Sequence, residues 1–243
     1  LTALDLSPIL RRIKMEAGVK FSCENKELDL NVVHLAIAGW TGRDRAKVQH
    51  HIDELAEIGV APPSTVPLFY RASSLLLTQS PRIEVVGDNT SGEIEPLIVM
   101  TGNTLYLGLG SDHTDRALEA HSVALSKQIC PKPASPELWL FDRVKDRLDA
   151  IEMTSWINEG GDWTVYQRGD LSGIRPLEEL IAMSDLRNVR LRDGDAAAMM
   201  CGTLGVTNGG VRPASAFRME LRDPVLGRTI AHQYEITALP VVA

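Results

Sequence analysis

Glu93, Glu95 and Asp112 are the residues of this chain whose types and spacing best suit chemistry. Glu93-Ile94-Glu95 lies in a run that reads as a β-strand, and alternation along a strand sends both carboxylates from one face with α-carbons ~6.6 Å apart. Two like charges held side by side need either solvent or a cation, because burying them bare drives one pKa sharply upward. Gly102-Asn103 fits a tight turn, and if it closes a hairpin, opposed residues share a constant sum of numbers, which sets Glu93 against Asp112. Three carboxylates with no histidine or thiol at ligand spacing suit a hard cation, Mg²⁺ or Mn²⁺, better than zinc. Glu-x-Glu is also the pattern of a solvated sheet face, and spacing alone leaves both readings open.

The elements that must position these acids are mostly strands. Short β-rich runs are expected over residues 83–86, 93–100, 104–110, 138–141, 151–157, 163–168, 196–203, 216–222 and 228–236. Helical spacing is confined to residues 6–15, the stretch after Thr41, and residues 115–125 and 175–183. Thr41 stands as an N-cap three residues before Asp44, with Val48, Ile52 and Leu55 following at helical spacing. Residues 19–23 and 28–37, around the polar Glu24-Asn25-Lys26-Glu27, read as a hairpin. The proline-rich stretch 61–67 is driven to extended geometry and divides an N-terminal layer or lid, 1–61, from a main body, 62–243, within one domain. The sum is a β-rich α+β fold.

Composition narrows the partners. The chain has 243 residues, 44% hydrophobic and 23% charged, with no apolar run near the ~20 residues that span a bilayer. A net charge of -7 argues against nucleic acid, whose binding rests on a basic surface, and 5% aromatic residues argue against a stacking platform. Cys23, Cys130 and Cys201 form no C-x-x-C motif and suit a reducing interior. The first residues lack the uninterrupted apolar core of a secretory signal, so a cytoplasmic protein with a small-molecule substrate is the expectation.

Along the chain, several motifs occur in one order. Leu68-Phe69-Tyr70-Arg71 precedes Glu93-Ile94-Glu95, and Gly110-Ser111-Asp112-His113-Thr114-Asp115-Arg116 follows. Lys127 and Trp139 come next, then Arg192-Asp193-Gly194-Asp195 and Cys201-Gly202-Thr203-Leu204-Gly205. Over residues 68–236 this series resembles the fumarylacetoacetate hydrolase superfamily, with its Glu-x-Glu strand, its Gly-Asn-Asp-x-Ser-x-Arg-Asp segment and its Gly-Thr turn. It is closer still to a bacterial and fungal branch catalogued as a domain of unknown function. Ser111 replaces the usual Asn, Ala117 replaces the final acid, and no lid histidine matches.

The resemblance implies a roll of mixed β-sheets with a small N-terminal helix/strand layer, a homodimer, and a Mg²⁺ or Mn²⁺ ion on Glu93, Glu95 and Asp112. It implies cleavage of a carbon–carbon bond in a β-dicarbonyl or acylpyruvate-like oxo acid through an enolate. Decarboxylation, dehydration or tautomerisation of a similar 2-oxo acid is the alternative, and a non-catalytic ligand-binding or structural protein the second. In that setting Lys127 stabilises an oxyanion, while Arg71 and Tyr70, with Gly202 and Thr203, bind substrate. Arg116, one helical turn from Asp112, orients that carboxylate. His113 is the candidate base, being tunable by the acidic cluster.

Overall fold

Apolar runs and alternating segments of this kind pack as sheets. The computed structural model, which describes residues 19–57 and 59–242, stacks them in two layers. In chain order the strands are β1 (Phe21–Cys23), β2 (Lys26–Leu28), β3 (Asn31–Gly39), β4 (Leu68–Ala72), β5 (Leu77–Thr78), β6 (Arg82–Val86), β7 (Thr90–Ser91), β8 (Ile94–Thr101) and β9 (Thr104–Ser111). They continue as β10 (Thr114–Asp115), β11 (Lys132–Pro133), β12 (Glu137–Leu140), β13 (Glu152–Glu159), β14 (Asp162–Asp170), β15 (Asp195–Met200), β16 (Ala216–Asp223) and β17 (Arg228–Leu239). Eight of them form a curled mixed sheet in the order β2-β1-β12-β9-β8-β15-β3-β4, and five form a second in the order β14-β13-β16-β17-β6.

One core fills the space between the layers, where Ile94, Ile98 and Leu107 meet Ile157, Phe217 and Tyr234. A second lies on the far face of the larger sheet, where Leu35, Ile37, Leu97, Val99 and Met200 are covered by Val123 and Ala124 of the helix Val123–Gln128. Strands β8 and β15 are therefore buried on both faces, which is why they read as unbroken apolar runs. The β8–β9 hairpin turns at Gly102-Asn103, with Gly102 at a φ of 54°, and its register runs from Thr101↔Thr104 to Ile94↔Ser111. The amide of Asp112 then donates to the carbonyl of Glu93 at 3.0 Å, so the constant-sum pairing extends to the two acids.

Three expectations change. The hairpin of the N-terminal segment closes early, as β1–β2, while β3 crosses to the other side of the sheet and lies between β15 and β4. Strand β3 is apolar on both faces and so belongs inside the sheet, while β1 and β2 extend its opposite edge. Residues 115–125 break into two helices, Arg116–Glu119 capped by Asp115 and Val123–Gln128 capped by Ser122, whose hydroxyl accepts from the Leu125 amide and starts a new turn. Asp44, not Thr41, accepts from the first amides of the helix Arg45–Glu57, those of Ala46 and Lys47. The helix expected over 6–15 lies outside the described residues. Among them, no helix is long and apolar enough to cross a membrane.

The layers approach closely at Gly92, beside Glu93. A β-carbon on Gly92 would sit 2.5 Å from the Tyr234 hydroxyl and 2.8 Å from the Phe217 ring. Gly92→Ala is expected to destabilise the fold by ~1–3 kcal/mol through overpacking. A urea midpoint equal to wild type would show that the layers can part there at no cost.

Candidate metal centre

Alternation along β8 puts Ile94 between the sheets and sends Glu93 and Glu95 from the opposite face. Asp112, opposite Glu93, joins them there, and one oxygen of each carboxylate lies within 4.8 Å of the others. Glu95 and Asp112 are buried, and Glu93 keeps 17% of its side chain exposed, so the cluster opens on the Glu93 side. Three cations answer it. The Lys127 ammonium lies 2.5 Å from Asp112 Oδ2 and 3.4 Å from Glu93 Oε2. Lys132, fully buried, lies 3.0 Å from Asp112 Oδ1 and donates to the His113 carbonyl. Arg116 spans Glu93 at 3.0 Å and Glu119 at 2.7 Å, and its Nε donates to Ser91.

Four carboxylates thus face three cations, and the shortfall falls on Glu95. Burial, reinforced by the charges of Asp112 and Glu93, raises its pKa well above the ordinary carboxylate value. Burial acts the same way on Glu93 and Asp112, but Arg116 with Lys127, and Lys127 with Lys132, outweigh it and lower both. Lys127 is correspondingly held as an ammonium: burial opposes the charge, and Asp112, Glu93 and Glu95 overcome it. An all-oxygen donor set that is one positive charge short fits a hard divalent cation such as Mg²⁺ or Mn²⁺, which would take the place of the proton on Glu95.

The surrounding backbone fixes the acids. Glu95 Oε2 accepts from the Gly202 amide at 2.8 Å. Gly202 has a φ of 98°, and a β-carbon there would lie 1.6 Å from Thr41 Oγ1, so only glycine fits this contact. Gln167 reaches over from β14: its Oε1 accepts from the Ile94 amide, and its Nε2 donates to Thr203 Oγ1 and the Leu204 carbonyl.

Several residues expected at the site take other places. His113 is fully buried, with Nδ1 3.1 Å from the Tyr234 hydroxyl and Nε2 2.9 Å from Thr90 Oγ1. Being odd-numbered beside Asp112, it leaves from the other face of the strand. Burial, with Lys132 and Arg116 nearby, pushes its pKa down to about 3, so it is a neutral structural imidazole and not a base. Arg116 orients Glu93 rather than Asp112. Arg71 pairs across β4 with Ala36 and so leaves from the face opposite the carboxylates, whereas Tyr70, paired with Ile37, is on their side. The Thr203 hydroxyl donates to the Ile94 carbonyl at 2.7 Å and is engaged in structure. Of the expected catalytic residues, Lys127 and Arg116 stand among the acids with their charged ends in contact, Lys127 with Asp112 and Glu93 and Arg116 with Glu93.

Lys132, Gln167 and Thr41 enter from elsewhere. The flanking prolines of Pro131-Lys132-Pro133, which force an extended backbone, are the one local signal of a fixed lysine. Gln167 and Thr41 carry no such mark. Two surface cavities, of about 620 and 560 Å³, lie beside Thr90 and beside Val48, and the carboxylates line neither.

A raised carboxylate pKa has a definite sign in stability. Below the unfolded pKa of ~4.3, Glu95 is protonated in both states, and its contribution is fully present. As pH rises toward the elevated folded value, the unfolded chain loses this proton first, and stability falls. Glu95→Gln keeps an acceptor for the Gly202 amide and does not titrate. In metal-free protein, its stability advantage over wild type by urea unfolding is expected to widen as pH rises above ~4.3. A difference that stays constant with pH would refute the shift.

The family model described as "Protein of unknown function (DUF2848)" matches residues 38–234. No curated protein matches. Among solved structures, 2-keto-3-deoxyarabinonate dehydratase aligns with a TM-score of 0.64 at 16% identity, covering 100% of this chain and 84% of that one. The same dehydratase complexed with magnesium and 2,5-dioxopentanoate aligns at 0.60 and 16%, covering 99% and 83%. Cg1458 aligns at 0.57 and 15%, covering 85% and 76%. At such identities the likeness speaks to fold, the β-roll of the fumarylacetoacetate hydrolase type. The matched segment contains the three carboxylates and every cation around them, and on that match the chain belongs to the DUF2848 family.

Proposed function

We propose that this chain is a metal-dependent enzyme that enolises a small 2-oxo acid and eliminates a group from it, as a dehydratase or related lyase does. The observation that carries the reading is the trio Glu93, Glu95 and Asp112, buried on one face and one positive charge short. Support comes from a neighbour of the same fold that is a dehydratase complexed with magnesium and an oxo acid.

Glu93, Glu95 and Asp112 would hold the divalent cation. Bound there, Mg²⁺ or Mn²⁺ supplies Lewis acidity for the charge that develops on the 2-oxo oxygen. Arg116, anchored by Glu119 and Ser91, keeps the Glu93 carboxylate aimed inward. Lys132 holds Asp112 Oδ1 and leaves Oδ2 toward the open side with Lys127. Lys127 keeps its proton because Asp112 and Glu93 attract it, and a cation on those carboxylates would weaken that hold. It is then placed to take the proton next to the oxo group and to return it to a leaving hydroxyl, which is the proton traffic of a β-elimination.

Hydrolysis of a carbon–carbon bond is the second reading. It would use the same carboxylate trio to hold its cation, and the enolate it passes through is the one an elimination also needs. Product analysis separates the two outcomes.

Chelator-stripped protein titrated with Mn²⁺ is expected to melt higher, with ~2.7 kcal/mol gained at ~100 times the dissociation constant, and Glu93→Ala is expected to lose the shift. Lys127→Met should keep Mn²⁺ binding and lose turnover on a 2-oxo acid panel by roughly 10²–10⁴-fold. Equal melting in the presence and absence of Mn²⁺, with wild type folded, would leave the trio without a metal. Undiminished turnover in Lys127→Met would remove its role.

A further inference from the structure

The metal centre engages the oxo-carboxylate end of a substrate, and the residues around its mouth bear on the other end. We propose that the substrate's tail is uncharged and apolar, preferably aromatic, and that Trp40 is the wall that receives it. This inference rests on the metal-centre reading above.

Trp40 has a φ of 61°, in the left-handed region where a bulky side chain is strained by ~1–3 kcal/mol. The chain around it enforces that backbone. The Thr41 carbonyl accepts from the Arg175 amide at 2.7 Å, Gly42 bridges to Ile174, and the Arg43 amide donates to Gly173. The indole is thereby presented half-buried, and its Nε1 donates to the Tyr70 hydroxyl at 3.1 Å. Tyr70 is buried against Gly39, where a β-carbon would meet its ring at 2.8 Å. Tyr70 shares the carboxylates' face of the sheet, and its strand is tied to the helix that carries Lys127 through the Gln128 amide, which donates to the Arg71 carbonyl, so the Trp40–Tyr70 pair lies on the carboxylates' side.

The charges at this mouth select against a second anion. Lys127, Arg116 and Lys132 are each engaged by site acids, and Arg71 leaves from the opposite face. Glu119, held 2.7 Å from Arg116 with 30% of its side chain exposed, adds a negative charge at the solvent side of the cluster. A divalent cation leaves the cluster with one net positive charge, which a monocarboxylate neutralises and a dicarboxylate exceeds. A second carboxylate at this mouth therefore meets Glu119 and an indole, whereas an aromatic tail gains a flat apolar contact.

The test is calorimetric binding of 2-oxo-4-phenylbutanoate and 2-oxoglutarate to Mn²⁺-loaded protein. Wild type is expected to bind the phenyl compound about tenfold or more tightly than the dicarboxylate. Trp40→Gly relieves the backbone strain and so keeps the fold; it should bring the ratio to within about twofold with Mn²⁺ affinity unchanged. Trp40→Phe retains a ring and should retain the preference. Tighter or equal binding of 2-oxoglutarate by wild type, or a preference that survives in Trp40→Gly, overturns the inference. Failure of wild type to bind Mn²⁺ overturns the metal centre and this inference with it, whereas Mn²⁺ binding without the aromatic preference overturns this inference alone.

Discussion

The charge on Asp112 is the constraint that organises the surrounding structure. A wholly buried carboxylate is several kcal/mol costlier than one in water unless cations and hydrogen bonds meet it from close range. Lys127 and Lys132 do so from two separate elements, a short helix and a two-residue strand. Neither element would hold its position on propensity alone, since one is six residues long and the other two. Each is secured through its lysine, and each in turn closes the far face of the larger sheet. The arrangement balances Asp112 and Glu93 and leaves Glu95 as the unanswered acid.

Layer packing supports that electrostatic arrangement through few contacts. Gln167, on the second sheet, satisfies the start of β8 and the turn after β15 with a single amide, so a shift of one layer would disturb both strands that carry or hold the glutamates. Gly92 and Gly202 allow the close approaches on either side, against Phe217 and Thr41. The polar chain Thr90–His113–Tyr234–Ser111 fills the same inter-sheet space with bonded groups, which explains why the histidine next to Asp112 turns away from the acids.

The local parts of this structure were legible in the sequence. Strand alternation placed Glu93 and Glu95 on one face, and the Gly102-Asn103 turn fixed the register that brings Asp112 across from Glu93, because both depend on residues close in the chain. The face of His113 and of Arg71 was equally a matter of alternation, yet their types drew them toward roles that their parity denies. Lys132, Gln167 and Thr41 reach the site through contacts separated by many residues, and spacing carries no trace of those. The placement of β3 inside the sheet belongs to the same class: its apolar character was visible, but its partner β15 lies more than a hundred residues away.

That pairing has a kinetic side. Strand β3 runs parallel to β15, so the sheet is completed only when segments as far apart in sequence as Asn31 and Asp195 meet, and loop closure over such a span is entropically slow. The β8–β9 hairpin closes over two residues and assembles Glu93 and Asp112 by itself. Glu95 waits for the Gly202 amide, which arrives with β15. Folding order is thereby written into the acids: two meet in a local hairpin, and the third is locked by a long-range pairing.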